Sequence, residues 1–178
     1  MPRSRSPLIM LACLCLLLAG CAALGTPGGY GLVPGQSTLA DVERRLGPPS
    51  LRWRDADGGE QLAFPQGPAG LQTWMAHVDA GGRLIRLENV LTSAHFARIR
   101  PGVDDHESVL RRLGPPDPTR SLHFEARDEL AWEWRFCDDW NRIARFDVLF
   151  DGTSGRVRST QQRREHVGPQ LHTPWCGH

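Results

Sequence analysis

A motif that is written twice places the strongest constraint on how this chain can fold. The first copy runs from Pro34 to Pro49, and the second runs from Pro101 to Pro116, 67 residues later. Each copy begins with Pro-Gly and ends with Arg-Arg-Leu-Gly-Pro-Pro. A repeat at a fixed period of this size indicates that each copy opens one structural unit, and that two such units follow one another.

Both copies have the spacing of a short amphipathic helix. The inner face is expected to carry Leu39, Val42 and Leu46 in the first copy and His106, Val109, Leu110 and Leu113 in the second. Ser37 or Thr38 is the expected cap of the first helix, and Asp104 that of the second, with Glu107 as its capping-box partner. Gly-Pro-Pro then ends each helix.

Alternating apolar and polar residues after each helix predict strands. The expected strands cover residues 61–64, 71–79 and 83–91, and then residues 128–137, 143–151 and 156–160. The sequence therefore predicts an α+β fold of two tandem units, at residues 34–91 and 92–165, followed by a tail at 166–178. Each unit is expected to be a helix plus a three-stranded antiparallel sheet. Because units this small bury little surface alone, they are expected to pack together.

The first twenty residues have the pattern of an export signal. Arg3 and Arg5 precede an uninterrupted apolar run from Leu8 to Leu18. As a helix that run would span about 17 Å, against about 30 Å of bilayer hydrocarbon, so it is too short for a membrane span. Residues 1–20 are therefore predicted to be a signal peptide.

The signal ends in Leu18-Ala19-Gly20-Cys21, which resembles the lipobox of bacterial lipoproteins. The resemblance implies cleavage before Cys21, a diacylglyceryl group on its thiol, and a further acyl chain such as palmitate on its amine. Ala22 in the next position implies sorting to the outer membrane, at its periplasmic face. Residues 21–33 are then a lipidated, glycine-rich tether. A plain secretory signal with an incidental cysteine is the alternative.

The order of the motifs resembles the SmpA/OmlA family of bacterial outer-membrane lipoproteins. The resemblance rests on Pro-Gly, a polar stretch, a valine, Leu-Gly-Pro, an aromatic strand and a strand ending in Asp-Gly, from Gly35 to Leu87 and from Gly102 to Thr160. It implies a fold related to the β-lactamase-inhibitor proteins and a scaffold role in assembly of outer-membrane β-barrel proteins. The small E subunit of the β-barrel assembly machine has one such unit, whereas this chain has two.

Two cysteines remain once the leader and the lipidated Cys21 are set aside. In an oxidising periplasm, Cys137 and Cys176 are predicted to form a disulfide that ties the tail to the second unit. Two free thiols are the alternative. His166, His172, Cys176 and His178 could also supply metal ligands, but their spacing matches no structural zinc pattern, and no metal or other cofactor is expected.

The sequence contains no constellation typical of an enzyme. Asp104-Asp105 and Asp138-Asp139 suit helix capping and turns, and His77 stands alone beside Asp79. Nucleophile-elbow, phosphate-loop and metalloprotease motifs are absent from the sequence. A net charge of +1 argues against nucleic-acid binding. A hydrolase with no recognisable motif is the least favoured reading.

One aromatic residue has little reason to be buried. Trp140 lies in a predicted turn between acidic and arginine residues, and tryptophan and arginine are common anchors of protein interfaces. Trp140, with Arg135 and Arg142, is therefore the predicted partner surface. The predicted function is a lipid-anchored outer-membrane scaffold in barrel assembly or envelope integrity. A periplasmic protein that inhibits a secreted enzyme is the alternative.

Overall fold

The computed structural model describes residues 29–67, 70–166 and 175–176. The predicted signal peptide, Cys21 and most of the tether lie outside the described residues, as do His172 and His178 of the tail. Within the described part the chain is an α+β protein of two four-stranded antiparallel sheets, each carrying helices on one face.

Both units have the same order of elements. In the first, α1 (Leu39–Leu46) precedes β1 (Leu51–Arg54), β2 (Glu60–Pro65), β3 (Thr73–Val78) and β4 (Leu84–Asn89). A short helix, α2 (Ser93–Phe96), leads to the second unit. There, α3 (His106–Leu113) precedes β5 (Leu122–Phe124), β6 (Glu129–Cys137), β7 (Ile143–Asp151) and β8 (Val157–Arg164). Consecutive strands are neighbours in each sheet. Three 3-10 turns lie at Gly29–Gly31, Pro118–Arg120 and Glu125–Arg127.

Each sheet has four strands rather than the three expected. The additional strands are β1 and β5, which pair with β2 and β6. Both are short, and β1 carries two arginines, so the sequence pattern does not mark it as a strand. The Arg52 guanidinium lies 2.7 Å from carboxylates of Glu43 and Glu60, which places this charge at the sheet edge without burying it.

The two helices are capped alike, although not by the residues expected in the second. Thr38 caps α1 as expected, in a capping box with Asp41. The cap of α3 is Asp105 and its capping-box partner is Ser108, not Asp104 and Glu107. Asp104 is buried one residue earlier, where its carboxylate accepts a 2.7 Å hydrogen bond from the Arg100 amide. Because the two aspartates are adjacent, the sequence alone does not show which of them caps the helix and which is buried.

Each helix packs on its own sheet. The core of the first unit contains Leu32, Val42, Leu62, Phe64, Ala76, Val78 and Leu84. The core of the second is larger and more aromatic, with Phe96, Val109, Leu113, Trp134, Phe136, Phe146, Val148 and Phe150 among its members. His106 joins the second core, with its ring centroid 4.3 Å from that of Phe150. Burial lowers the pKa of His106, which favours the neutral form of the ring.

The two units contact each other through the far side of α3. The Arg111 guanidinium lies 3.1 Å from Asp55 and 5.6 Å from the ring centroid of Trp53, and the Gln61 amide donates to the Arg111 carbonyl. Gly114, which follows α3, lies against Thr73 and Ala63 of the first sheet. The helix α3 therefore lies between the two sheets, and covers a face of the first.

Candidate protein-binding site

The turn between β6 and β7 is held by one carboxylate. Asp138 Oδ1 accepts hydrogen bonds from the amides of Trp140 and Arg142, at 3.0 and 2.8 Å. Asn141 adopts a left-handed conformation with φ of 58°, which asparagine tolerates better than most residues. Asp138 thus performs the turn role expected of it, and Trp140 is presented at the tip of an ordered hairpin.

A disulfide braces this hairpin from the tail. Cys137 and Cys176 lie at bonding distance, with their Cα atoms 6.0 Å apart, as the sequence predicts. The amide of Cys176 donates to the Asn141 carbonyl at 3.0 Å, and Trp175 forms a β-bridge with Arg142. The end of β6, the turn and residues 175–176 are therefore joined covalently and by backbone hydrogen bonds.

Two tryptophans are exposed at this end of the second sheet. Trp140 is 66% exposed and Trp175 is 64% exposed. The Arg164 guanidinium lies 5.8 Å from the ring centroid of Trp140, and that of Arg142 lies 5.2 Å from Trp175. Such cation–π contacts at exposed sites contribute about 0.5–1 kcal/mol each, so they help to hold the rings in place. We call Trp140, Trp175, Arg142 and Arg164 the tryptophan tip.

The structure brings together two of the three residues predicted for the partner surface. Trp140 is exposed as expected, and Arg142 is adjacent, although its guanidinium stacks on Trp175 instead. Arg135 lies elsewhere, on the face of the second sheet away from the helices, where its Nε is 2.9 Å from Glu165. Sequence reasoning missed Trp175 and Arg164. Trp175 could have been found, because it directly precedes a cysteine that was predicted to bond beside Trp140.

Arg135 belongs to a ladder of ion pairs around the buried carboxylates of Glu133 and Glu165. Glu133 is paired with Arg120 at 3.3 Å and, at closer distance, with Arg145 and Arg163. Glu165 is paired with Arg135 and Arg145. Burial alone would raise the pKa of Glu165, but hydrogen bonds and attraction from these two arginines outweigh it and lower the pKa. Every carboxylate in this ladder has an arginine partner, which is the arrangement of a structural network.

A cleft of about 410 Å³ lies between the two units. Its apolar wall comes from Leu91, Trp134 and the prolines at 65, 115, 116 and 118. The indole N–H of Trp134 is occupied, since it donates to the Pro115 carbonyl at 3.0 Å. The polar side chains that line the cleft include the buried Asp117, which accepts hydrogen bonds from Thr119. The cleft therefore presents apolar surface with few available polar groups.

Two groups considered for chemistry, His77 and Cys176, have other partners in the described part of the chain. His77 does not meet Asp79; its Nε2 lies 2.9 Å from the Arg86 guanidinium, and burial lowers its pKa. No three histidine, cysteine, aspartate or glutamate side chains within the described ranges are grouped as metal ligands. Cys176 is engaged in the disulfide. Among the helices that the structure describes, none is long and apolar enough to cross a membrane.

No protein-family model, no curated protein and no solved structure matches this chain.

Proposed function

We propose that this chain is a lipid-anchored outer-membrane lipoprotein that binds a protein partner through the tryptophan tip. The observation that carries the proposal is the pair of exposed tryptophans on a turn that a disulfide braces. Tryptophan and arginine are enriched among the residues that dominate binding energy. A braced surface also loses little conformational freedom on binding, so more of the contact energy appears as affinity.

The anchor in this proposal is Cys21, at the end of the lipobox-like Leu18-Ala19-Gly20-Cys21. Two or more acyl chains give stable anchoring, whereas one chain gives only weak and reversible binding. The context that the resemblance to the SmpA/OmlA family implies is barrel assembly or envelope integrity. We also propose that each helix-on-sheet unit is related in fold to the β-lactamase-inhibitor proteins. The proposed function includes no catalytic role.

Site-specific crosslinking in intact membranes tests partner binding. A photo-crosslinking residue at position 140 is expected to capture a small set of envelope proteins, including subunits of barrel assembly. The same residue at Ile85, which is 57% exposed on the first unit, is the control and should not capture them. Trp140→Ala, with the crosslinker moved to Asp139, should reduce capture. Identical products from positions 140 and 85 would contradict the proposal.

Labelling with a radioactive fatty acid tests the anchor separately. The wild-type chain should incorporate label and fractionate with the outer membrane, and Cys21→Ser should do neither. Label on the Cys21→Ser chain, or an unlabelled wild type in the soluble periplasmic fraction, would show that the leader is a plain secretory signal.

A periplasmic inhibitor of a secreted enzyme is a second candidate. It is favoured by the braced hairpin, since a rigid loop with an exposed aromatic side chain can enter the cleft of an enzyme at low conformational cost. Recovery of a soluble enzyme from the position-140 crosslink, with activity lost on binding, would support inhibition. Unchanged outer-membrane protein levels after gene deletion would point the same way.

A further inference from the structure

We propose that the outward edge of β8 is the docking site for an extended, acidic segment of the partner, which pairs with β8 as an additional strand. This inference rests on the proposed function, and it names the kind of segment that the partner contributes. Adding a strand to an exposed sheet edge is a common way to bind extended polypeptide, with main-chain hydrogen bonds supplying affinity.

The backbone of β8 is paired on one side only. The Glu165 amide donates to the Ile143 carbonyl at 3.1 Å. In an antiparallel pair every second residue bonds the neighbouring strand, so Arg163 also directs its backbone groups toward β7. The N–H and C=O groups of Thr160 and Gln162 therefore point away from the sheet. Within β8, which the structure describes in full, only Val157 has backbone partners on the outward side, at Gly102 and Asp104.

This edge is long and accessible. β8 has eight residues, and all of its side chains beyond Val157 are exposed except that of Thr160, which is half-buried. An open edge of this length is a template for another strand, unless charge opposes the pairing. The identity of the added strand is therefore decided by the charges along the edge.

The charges along β8 oppose pairing with the β8 strand of a second copy, and they favour an added strand that carries acidic residues. Residues 156–164 contain four arginines and no carboxylate, so two copies of β8 paired with each other would place like charges together. Arg158 and Arg163 are paired with carboxylates of their own sheet. Arg156 donates to the Val103 carbonyl and Arg164 lies over Trp140, but neither is paired with a carboxylate within the described part of the chain. Each can therefore add an ion pair with an incoming glutamate or aspartate.

A small pocket lies where β8 ends, beside the tryptophan tip. Its volume is about 180 Å³, and its walls include Phe136, Ala144, Trp140 and Gln162. Ligand pockets are usually about 300–1,000 Å³, so this one suits a single apolar side chain rather than a small molecule. An added strand would direct alternate side chains to this face of the sheet. The docking segment is therefore extended and acidic, with one apolar anchor.

The test measures binding of a synthetic peptide to the purified, detergent-solubilised protein by fluorescence anisotropy. The probe alternates glutamate and valine around a central leucine, and a lysine-for-glutamate version is the charge control. Gln162→Pro removes one outward N–H, at an edge position where proline is tolerated, and Gln162→Ala keeps it. We expect Gln162→Pro to weaken binding about tenfold, Gln162→Ala to leave it within about twofold, and the lysine peptide to bind more weakly than the probe.

A second measurement keeps the test independent of how Gln162→Pro folds. The same acidic peptide, N-methylated along one edge, should bind the wild-type protein at least about fivefold more weakly, because it cannot complete the ladder. Equal affinities for the methylated and unmethylated peptides would overturn the proposal. So would a wild-type dimer in light scattering that Gln162→Pro dissociates, since the occupant would then be a second copy.

The crosslinking experiment separates this inference from the proposed function. With the crosslinker at Asp139, if Gln162→Pro retains the captured partner while Trp140→Ala loses it, the protein-binding role stands and the edge-strand mode is wrong. If position 140 gives no specific crosslinked protein and the peptide shows no specific binding, the protein-binding role itself is wrong.

Discussion

Asp151 shows how a single carboxylate closes the turn that leads into β8. Its side chain accepts hydrogen bonds of 2.8 Å from the Arg158 guanidinium and from the amide and hydroxyl of Ser154. Asp79 closes the corresponding turn of the first unit, accepting from the amides of Gly81 and Arg83. The repeat is therefore preserved in the chemistry of its turns as well as in its motif.

The pH dependence of stability should report on Asp151. Its hydrogen bonds, from Arg158 first and then from Ser154, lower its pKa from 3.8 to about 2. A lowered pKa in the folded state means that the stabilisation is complete above about pH 4 and is lost as the pH falls toward 2. Because the pKa of Asp41 is also about 2, the wild type should be compared with Asp151→Asn. The urea midpoint of the wild type should exceed that of Asp151→Asn at about pH 5, and the difference should be smaller at about pH 2.5. An Asp151 pKa near 4 by NMR would contradict this.

The ion-pair ladder gives a second prediction for a single residue. Glu133 is buried and faces three arginines, and Arg145 beside it is buried too. Glu133→Gln removes the carboxylate that these arginines share and leaves Arg145 with Glu165 alone. It should therefore cost about 3 kcal/mol in free energy of unfolding. Glu43, in an exposed pair with Arg52, is the control, and Glu43→Gln should cost less than about 1 kcal/mol. Similar losses for both in denaturant unfolding would show that the ladder is screened by water.

At the scale of elements, the two helix ends have the same sequence but different surroundings. Gly47 and Gly114 both have φ between 74° and 83°, a conformation that glycine adopts far more easily than alanine. A Cβ on Gly47 would meet no atom within 4 Å. A Cβ on Gly114 would lie 2.8 Å from the Thr73 methyl and 3.2 Å from the Ala63 methyl, across the contact between units.

Alanine at these two positions should separate backbone strain from packing. Gly47→Ala should cost about 1–2 kcal/mol from backbone conformation alone. Gly114→Ala should cost about 1–3 kcal/mol more, because it also forces the units apart. Urea unfolding of the two variants measures the difference. Equal losses of unfolding free energy in the two variants would mean that the contact between α3 and the first sheet accommodates the added methyl group without destabilisation.

The disulfide connects elements that are far apart in sequence. Cys137 ends β6, and Cys176 lies 39 residues later. In the chain-entropy model, closing a loop of this size stabilises the fold by about 3–4 kcal/mol. Cys137→Ala/Cys176→Ala should therefore unfold at lower denaturant concentration, and reductant should shift the wild type but not the variant. Two free thiols on titration of the unfolded, unreduced wild type would show that the bond is absent.

At the scale of the whole molecule, the two sheets differ on the face opposite their own helix. Ala63 pairs with Met75, four residues before the Asp79 turn, on the face that α3 covers. The equivalent pair in the second sheet is Glu133 with Asp147, four residues before Asp151. Replacing alanine and methionine by two carboxylates, with their arginines, makes this face polar.

The arrangement of α3 between the sheets predicts that the two units unfold together. Removal of the second unit would expose the apolar face of Ala63, Met75 and Val90, so the first unit depends on the second. Val42→Ala, in the first core, should lower amide protection in both units equally, and calorimetry should show one transition with equal calorimetric and van't Hoff enthalpies. Two separate transitions would show that the contact is too weak to couple them.

The sequence by itself determined the features that depend on local patterns. The repeated motif gave the two units, the helix positions and the turn carboxylates, because capping residues, glycines and prolines act on their immediate neighbours. The motif could not decide whether Asp104 or Asp105 caps the helix, because two adjacent identical residues are distinguished only by their tertiary contacts. The short strands β1 and β5 were missed for the same reason: their pairing is decided by β2 and β6.

Only the tertiary structure decided which residues form the tryptophan tip. Arg135 and Arg142 both lie within five residues of Trp140 in sequence, yet alternation along β6 directs Arg135 to the ladder, while Arg142 follows the turn and stacks on Trp175. Trp175 and Arg164 reach the tip from distant parts of the chain, through a disulfide and through the strand β8. The exposed edge of β8 likewise has no local signal, because a strand becomes an edge only when the sheet ends beside it.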